Sequence, residues 1–190
     1  TCALPIYRAR YWRAALIGAA IAGVLFLAML LTSGSNVRGT SWTGEFYAAQ
    51  AKAFLHGRWW IPQSTLGIEG FKHDGRWFMY YGPFPSLLRI PVVLVMPGLG
   101  AQMTQASMAL AWIVAVVASI DISWRIRRIV RPDAALRTAE CWIVGTAVLV
   151  VGAGSVLMFL ASQAWIYHEA ELWGCALAIA SFDLIVAYLV

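Results

Sequence analysis

The chain has 190 residues, of which 61% are apolar and only 12% charged, with a formal net charge of +5 and a mean hydropathy of +0.71. A soluble domain carries about 45–50% apolar and about 25% charged residues, so there is too little polar surface here to cover a water-soluble globule, and the missing solvent is lipid. The basic balance does not point to nucleic acid, because the arginines flank apolar runs, where membrane topology places them. Cys2, Cys141 and Cys175 make no CxxC or His–Cys spacing, so neither a disulfide framework nor a zinc site is supported.

The opening Thr-Cys-Ala-Leu-Pro-Ile reads as translated sequencing-library adapter, so residues 1–6 are set aside and 1–13 are read as a cytoplasmic tail. Arg8, Arg10 and Arg13, with Tyr11 and Trp12 at the interface, precede a first span at 14–32. No small-residue cleavage site follows it, which marks a retained anchor rather than a signal peptide. Further spans are predicted at 101–123, 139–161 and 171–190, each close to the roughly 20 residues that cross the hydrocarbon core. The last of these is still apolar at Val190, so the chain is expected to be the N-terminal part of a longer protein.

Arg125, Arg127, Arg128, Arg131 and Arg137 fill the loop 124–138. The positive-inside rule puts both arginine groups in the cytoplasm, so an even number of crossings separates them. Residues 33–100 and the connection 162–170 are then external. The same parity makes Ser86–Pro97, short and holding Arg89, Pro91 and Pro97, an interfacial or re-entrant segment rather than a further span. The expected fold is an all-α polytopic membrane protein with four transmembrane helices and a structured outer loop.

Within that loop, Thr43–His56 reads as an amphipathic helix lying on the membrane surface. Phe46, Ala49, Ala53 and Phe54 form its apolar stripe, with Glu45, Gln50 and Lys52 elsewhere on the wheel. Ser41 or Thr43 is the expected N-cap and Gly57 the C-terminal stop. Downstream, Asp74-Gly75 between β-prone runs predicts a hairpin with a type I′ turn. Trp59, Trp60, Trp77, Phe78, Tyr80 and Tyr81 form an aromatic surface suited to the bilayer interface or to sugar rings.

Two acidic clusters fall on the same predicted side: Glu45 after the first span, and His168, Glu169 and Glu171 where the third span meets the fourth. Carboxylates at a membrane surface are costly unless they bind something or face water. Brought together, these could hold a metal ion or run acid–base chemistry on a lipid-linked substrate. Glu45 also has a plain local explanation, since a helix dipole favours an acid in the first turn. Asp121 is expected to pair with Arg125 four residues on, whereas Asp183 is expected to meet its partner on a helix beyond this chain.

The order of an apolar span, Gly44-Glu45-Phe46-Tyr47-x-x-x-Ala51, Leu55-His56-Gly57-Arg58, a hairpin, and Tyr80-Tyr81-Gly82-Pro83-Phe84-Pro85-Ser86-Leu87-Leu88-Arg89-Ile90-Pro91 resembles the first outer loop of GT-C glycosyltransferases. The likeness is to the bacterial branch related to protein O-mannosyltransferases and lipid A sugar transferases. It implies a multi-pass protein of the bacterial plasma membrane that moves sugar from a polyprenyl-phosphate donor to an acceptor on the outer face. An acid early in the first outer loop takes part in catalysis there, and Glu45 stands at that place. A second acidic motif lies between the third and fourth spans, matched by His168-Glu169 with Glu171. The family's usual first-loop residue is Asp, often beside a second acid, and its second motif is Asp-rich; here Glu45 is alone and His-Glu replaces the pair.

In such a site Glu45 would be the base, and Glu169 with His168 would hold Mg²⁺ or Mn²⁺, for which oxygen donors are suited. Glu171, two residues on, points to another helix face. Arg58, Arg76 and Arg89 are candidates for phosphate contact through their forked donors, or for snorkelling to headgroups; Tyr80, Tyr81 and Glu171 complete the candidate substrate contacts. A transporter or permease would instead carry polarity and broken helices at the midplane, and a non-catalytic scaffold would use the outer loop to bind a partner.

Overall fold

A computed structural model describes residues 4–32, 44–132 and 134–189. In chain order the elements are α1 (Leu4–Thr32), α2 (Gly44–Leu55), the single turn α3 (Gln63–Leu66), strands β1 (Gly70–His73) and β2 (Arg76–Met79), α4 (Phe84–Val95), a 3₁₀ turn at Gly100–Gln102, α5 (Thr104–Val130), α6 (Thr138–Ala153), α7 (Val156–Leu160) and α8 (Ile166–Leu189).

Four stretches are long and apolar enough to cross a bilayer: Ile6–Thr32, Thr104–Val130, Thr138–Leu160 and Ile166–Leu189. The protein is a helical membrane protein. Its helices outrun the apolar runs that predict them. Arg8, Arg10 and Arg13 ride on α1 and Arg125–Arg128 on the last turns of α5, and α8 starts at Ile166, before the predicted 171. Hydropathy reports where lipid ends, whereas arginine and glutamate are good helix formers and carry the backbone on into the headgroup layer. The third span bends at Gly154–Ser155, where Ser155 Oγ donates to the Val151 carbonyl (2.5 Å) and accepts from Leu157 N–H (3.2 Å).

The closest helix pairs are α1 with α6 and α5 with α8. Small residues set the first pair: a Cβ on Gly18 would overlap the carbonyl oxygen of Gly145. Further along, Trp112 of α5 donates its indole N–H to the Gly152 carbonyl (2.9 Å) and stacks on Phe26 at 5.2 Å. Gly18→Ala is therefore expected to cost about 1–3 kcal/mol, since overpacking here meets backbone that cannot rotate away. Gly174→Ala, with open space at that position, is the control. Unfolding in detergent reads both; equal stabilities would refute the close α1–α6 approach.

One end of the bundle gathers an ionic network. Arg125 bridges Asp121 (2.6 Å) and Asp183 of α8 (2.9 Å), while Arg127 and Arg131 reach Glu140 at 3.2 Å each. Asp183 thus finds its partner inside the chain, contrary to the expectation of a missing helix. The two residues are 58 apart in sequence, so only the docking of α8 on α5 reveals the pair.

At the opposite end, residues 44–102 fold into a layer over the bundle. Asp74 (φ 46°) and Gly75 (φ 76°) are both left-handed, as a type I′ turn requires, and the register pairs Gly70 with Met79 and His73 with Arg76. Phe46, Tyr47, Ala53, Ile61, Leu66 and Met79 make the layer's core and meet Ile166 of α8. Helix α2 is correspondingly enclosed and does not lie as a one-sided surface helix. Gln50, expected on its polar side, is buried and accepts from Ser86 Oγ (2.6 Å). The expected caps Ser41 and Thr43 lie outside the described residues. Helix α4 has 12 residues, about 18 Å, too short for a core about 30 Å thick. It buries Pro85, Ser86, Arg89 and Val93 on one face and leaves Leu87 and Leu94 exposed on another.

Candidate functional site

Among the described residues a fully buried ion pair ties the layer to the bundle. Arg89 Nη1 and Nη2 donate to the two carboxylate oxygens of Glu169 at 2.6 and 2.9 Å, and both side chains are inaccessible to solvent. The remaining donors go to the Gly100 carbonyl (3.1 Å), the Pro85 carbonyl (3.1 Å) and Thr104 Oγ1 (3.2 Å). A guanidinium has five N–H groups, and all are used. The ring of Tyr47 from α2 lies 5.1 Å from the guanidinium carbon. Helices α2, α4, α5 and α8 and the 3₁₀ turn therefore meet at one point. The Tyr47 hydroxyl is buried with no hydrogen-bond partner among the described residues; burial, and then the Glu169 carboxylate, push its pKa well above the ordinary tyrosine value.

This geometry corrects two expectations. All five Arg89 donors are engaged within the chain, which leaves none for a substrate phosphate, and each Glu169 oxygen already accepts from the guanidinium and is inaccessible to solvent. Each was read singly as a ligand, when each is the other's partner across 80 residues. His168 faces elsewhere: its Nδ1 donates to the Gln163 carbonyl (2.8 Å) and its ring lies against Phe159 and Trp165. Among the described residues no three His, Cys, Asp or Glu side chains converge on one point, and His168 and Glu169, expected to share an Mg²⁺ or Mn²⁺ ion, are each bonded elsewhere within the chain.

Glu171 is exposed on a different face of α8 from buried Glu169, as their spacing requires. Glu45 lies in the first turn of α2, exposed, with no hydrogen-bond or ion-pair partner among the described residues. It is two residues from Tyr47, so the first interspan segment and the start of α8 come together around the Arg89 junction.

Tyr80 and Tyr81 belong to a second cluster. Both hydroxyls donate to Glu69 Oε2, at 2.6 and 3.0 Å, and lie 2.7 Å apart, while the Tyr81 ring meets Tyr167 edge-on at 5.2 Å. Glu69 was missed in the sequence because nothing local marks it; the hairpin brings the tyrosines back to it. Hydrogen bonds, first from Tyr80, hold the Glu69 carboxyl below its usual range, and the bond to Glu69 raises Tyr80. Burial first, then the neighbouring hydroxyls, raises Tyr81. A lowered carboxyl stabilises the fold above its unfolded pKa and loses that as pH falls through the folded value. A raised phenol stabilises below about pH 10 and loses that as pH climbs. Glu69→Gln is accordingly expected to return the alkaline titration of Tyr80 towards the ordinary value. Tyrosinate absorbance, assigned with Tyr80→Phe, measures it; an unmoved titration would refute the link.

Arg58 and Arg76 converge where Arg89 does not. They line a pocket of about 480 Å³ between α2, α3 and the hairpin, together with Lys52, His56, Trp60 and Trp77. Arg76 stacks over Trp60 with its guanidinium carbon 3.9 Å from the ring centre. Lys52 and His56 escaped notice as site residues, although their i, i+4 spacing puts them on one face of α2.

No protein-family model, curated protein or solved structure matches this chain.

Proposed function

We propose that this is an integral membrane glycosyltransferase of the GT-C kind, moving a sugar from a polyprenyl-phosphate donor to an acceptor hydroxyl on the outer face of a bacterial plasma membrane. The observation that carries the reading is Glu45: an exposed carboxylate without a partner among the described residues, borne on a helix whose body is enclosed and held at Tyr47 by the Arg89–Glu169 junction. A catalytic group works best on an element that cannot drift. The clustering of Arg8, Arg125, Arg127 and Arg131 at the end away from the layer supports a cytoplasmic N-terminus.

In the proposed step the Glu45 carboxylate takes the acceptor's hydroxyl proton as that oxygen bonds to the anomeric carbon. The bond from that carbon to the phosphate oxygen breaks, and polyprenyl phosphate leaves with the electron pair. In this reading Tyr80, Tyr81 and Glu171 contact the sugar or acceptor, and the Arg89–Glu169 pair positions the layer. Membranes carrying the full-length protein, supplied with labelled polyprenyl-phosphate sugar, should show label passing to an acceptor; no transfer across a panel of such donors would sink the proposal.

A further inference from the structure

We infer that the pocket between α2, α3 and the hairpin binds a phosphomonoester group, through Lys52, His56, Arg58 and Arg76. Four basic side chains from three segments face one open pocket, and its described lining contains no carboxylate. Among the described residues neither Lys52, Arg58 nor Arg76 is ion-paired, whereas Arg125, Arg127 and Arg131 at the far end each hold an acid. Like charges gathered without a counterion repel one another, and a dianion relieves that repulsion.

The fold sets each group in place. Helix α2 ends in a Schellman turn: Gly57 N–H bonds the Phe54 carbonyl (2.9 Å), Arg58 N–H bonds the Ala53 carbonyl (2.9 Å), and Gly57 takes φ 66°. That turn carries Arg58 back towards the face bearing Lys52 and His56. His56 Nδ1 donates to the Lys52 carbonyl (2.8 Å), which leaves Nε2 for a ligand. Arg76 stacks through its face on Trp60, so the edge carrying its N–H fork is the part left for an oxyanion. The dipole of α2 accounts for cations in its last turn, but not for Arg58 and Arg76, which come from other segments. A phosphomonoester brings a charge of about −2 and three acceptor oxygens, matching this many donors better than a single carboxylate. The indoles of Trp60 and Trp77 offer an apolar wall to whatever carries the phosphate.

The pocket holds Arg58 and Arg76, expected to contact phosphate in a transferase site, but shares no residue with the Arg89 junction and does not include Glu45; the inference is tested by binding alone, so its failure and that of the transferase reading are distinguishable. Its phosphate could come from a lipid headgroup or from a soluble compound. In one arm, full-length protein in phosphatidylcholine nanodiscs is titrated with inorganic phosphate and followed by phosphorus NMR. In the other, nanodiscs containing phosphatidate are used and the lipid retained on purification is identified by mass spectrometry. The wild type is expected to bind in at least one arm, and Arg58→Gln with Arg76→Gln to weaken that binding about tenfold or more, as losing charged hydrogen bonds does. The first arm alone would assign a soluble phosphate, the second a lipid headgroup. Should Arg76→Gln disturb the hairpin, Lys52→Gln with Arg58→Gln carries the same expectation. Binding in neither arm, or binding untouched by both double variants, overturns the inference.

Discussion

Replacing Arg89 with alanine is expected to destabilise the protein by about 3–5 kcal/mol, the usual cost of stranding one member of a buried ion pair. Glu169 would be left fully buried with both oxygens unpaired, and the Gly100 and Pro85 carbonyls would lose a donor. Glu169→Ala should do comparable damage by stranding the guanidinium. The double replacement Arg89→Met with Glu169→Leu should recover much of the loss, because removing both charges also removes their desolvation cost. Unfolding in detergent reads the three variants, and limited proteolysis between 57 and 83 reports whether the layer has lifted from the bundle. A double variant no better than the worse single one would show that the junction does more than bury a matched pair. Stability unchanged in Arg89→Ala would refute the junction itself.

Glu45→Gln should leave the fold and donor binding intact and reduce sugar transfer by about 10²–10⁴-fold, the range for loss of a general base. The amide keeps the size of the side chain but cannot take the acceptor proton. Stability should hold because Glu45 is exposed and without a partner among the described residues; only the favourable dipole contact of a first-turn acid is lost, about 0.3–1 kcal/mol. Glu171→Gln should have a milder effect, since that side chain is exposed on another helix. Undiminished transfer in Glu45→Gln would return Glu45 to the role of an ordinary helix-start acid. Because Arg89→Ala acts on stability and Glu45→Gln on rate, the pair separates what holds the layer from what reacts on it.

The elements that depend on near neighbours were legible before any coordinates. Asp74-Gly75 specifies its turn because two consecutive positive φ values exclude most other residues. Gly57 stops α2 for the same steric reason. Asp121 and Arg125 meet because a helix brings i and i+4 together. The candidate site was legible only as a set of residues. Glu169, His168, Arg89, Arg58 and Arg76 were all marked as chemistry-bearing, but which of them face one another is a question of distance in space.

What the sequence alone determined is the solvent and the span pattern: lipid is dictated by composition, and helices by the cost of leaving backbone groups unpaired within it. Local turn chemistry belongs to the same level. Tertiary structure decided the pairings. Arg89 and Glu169, 80 residues apart, cancel each other's charge and so leave the list of ligands. Asp183 meets Arg125 rather than a helix elsewhere. Gln50 is buried because Ser86 of α4 is there to bond it. A charged side chain looks the same in a sequence whether it is satisfied or waiting for a ligand. The difference lies in the partner that packing supplies, and such partners come from elements whose docking no local pattern encodes.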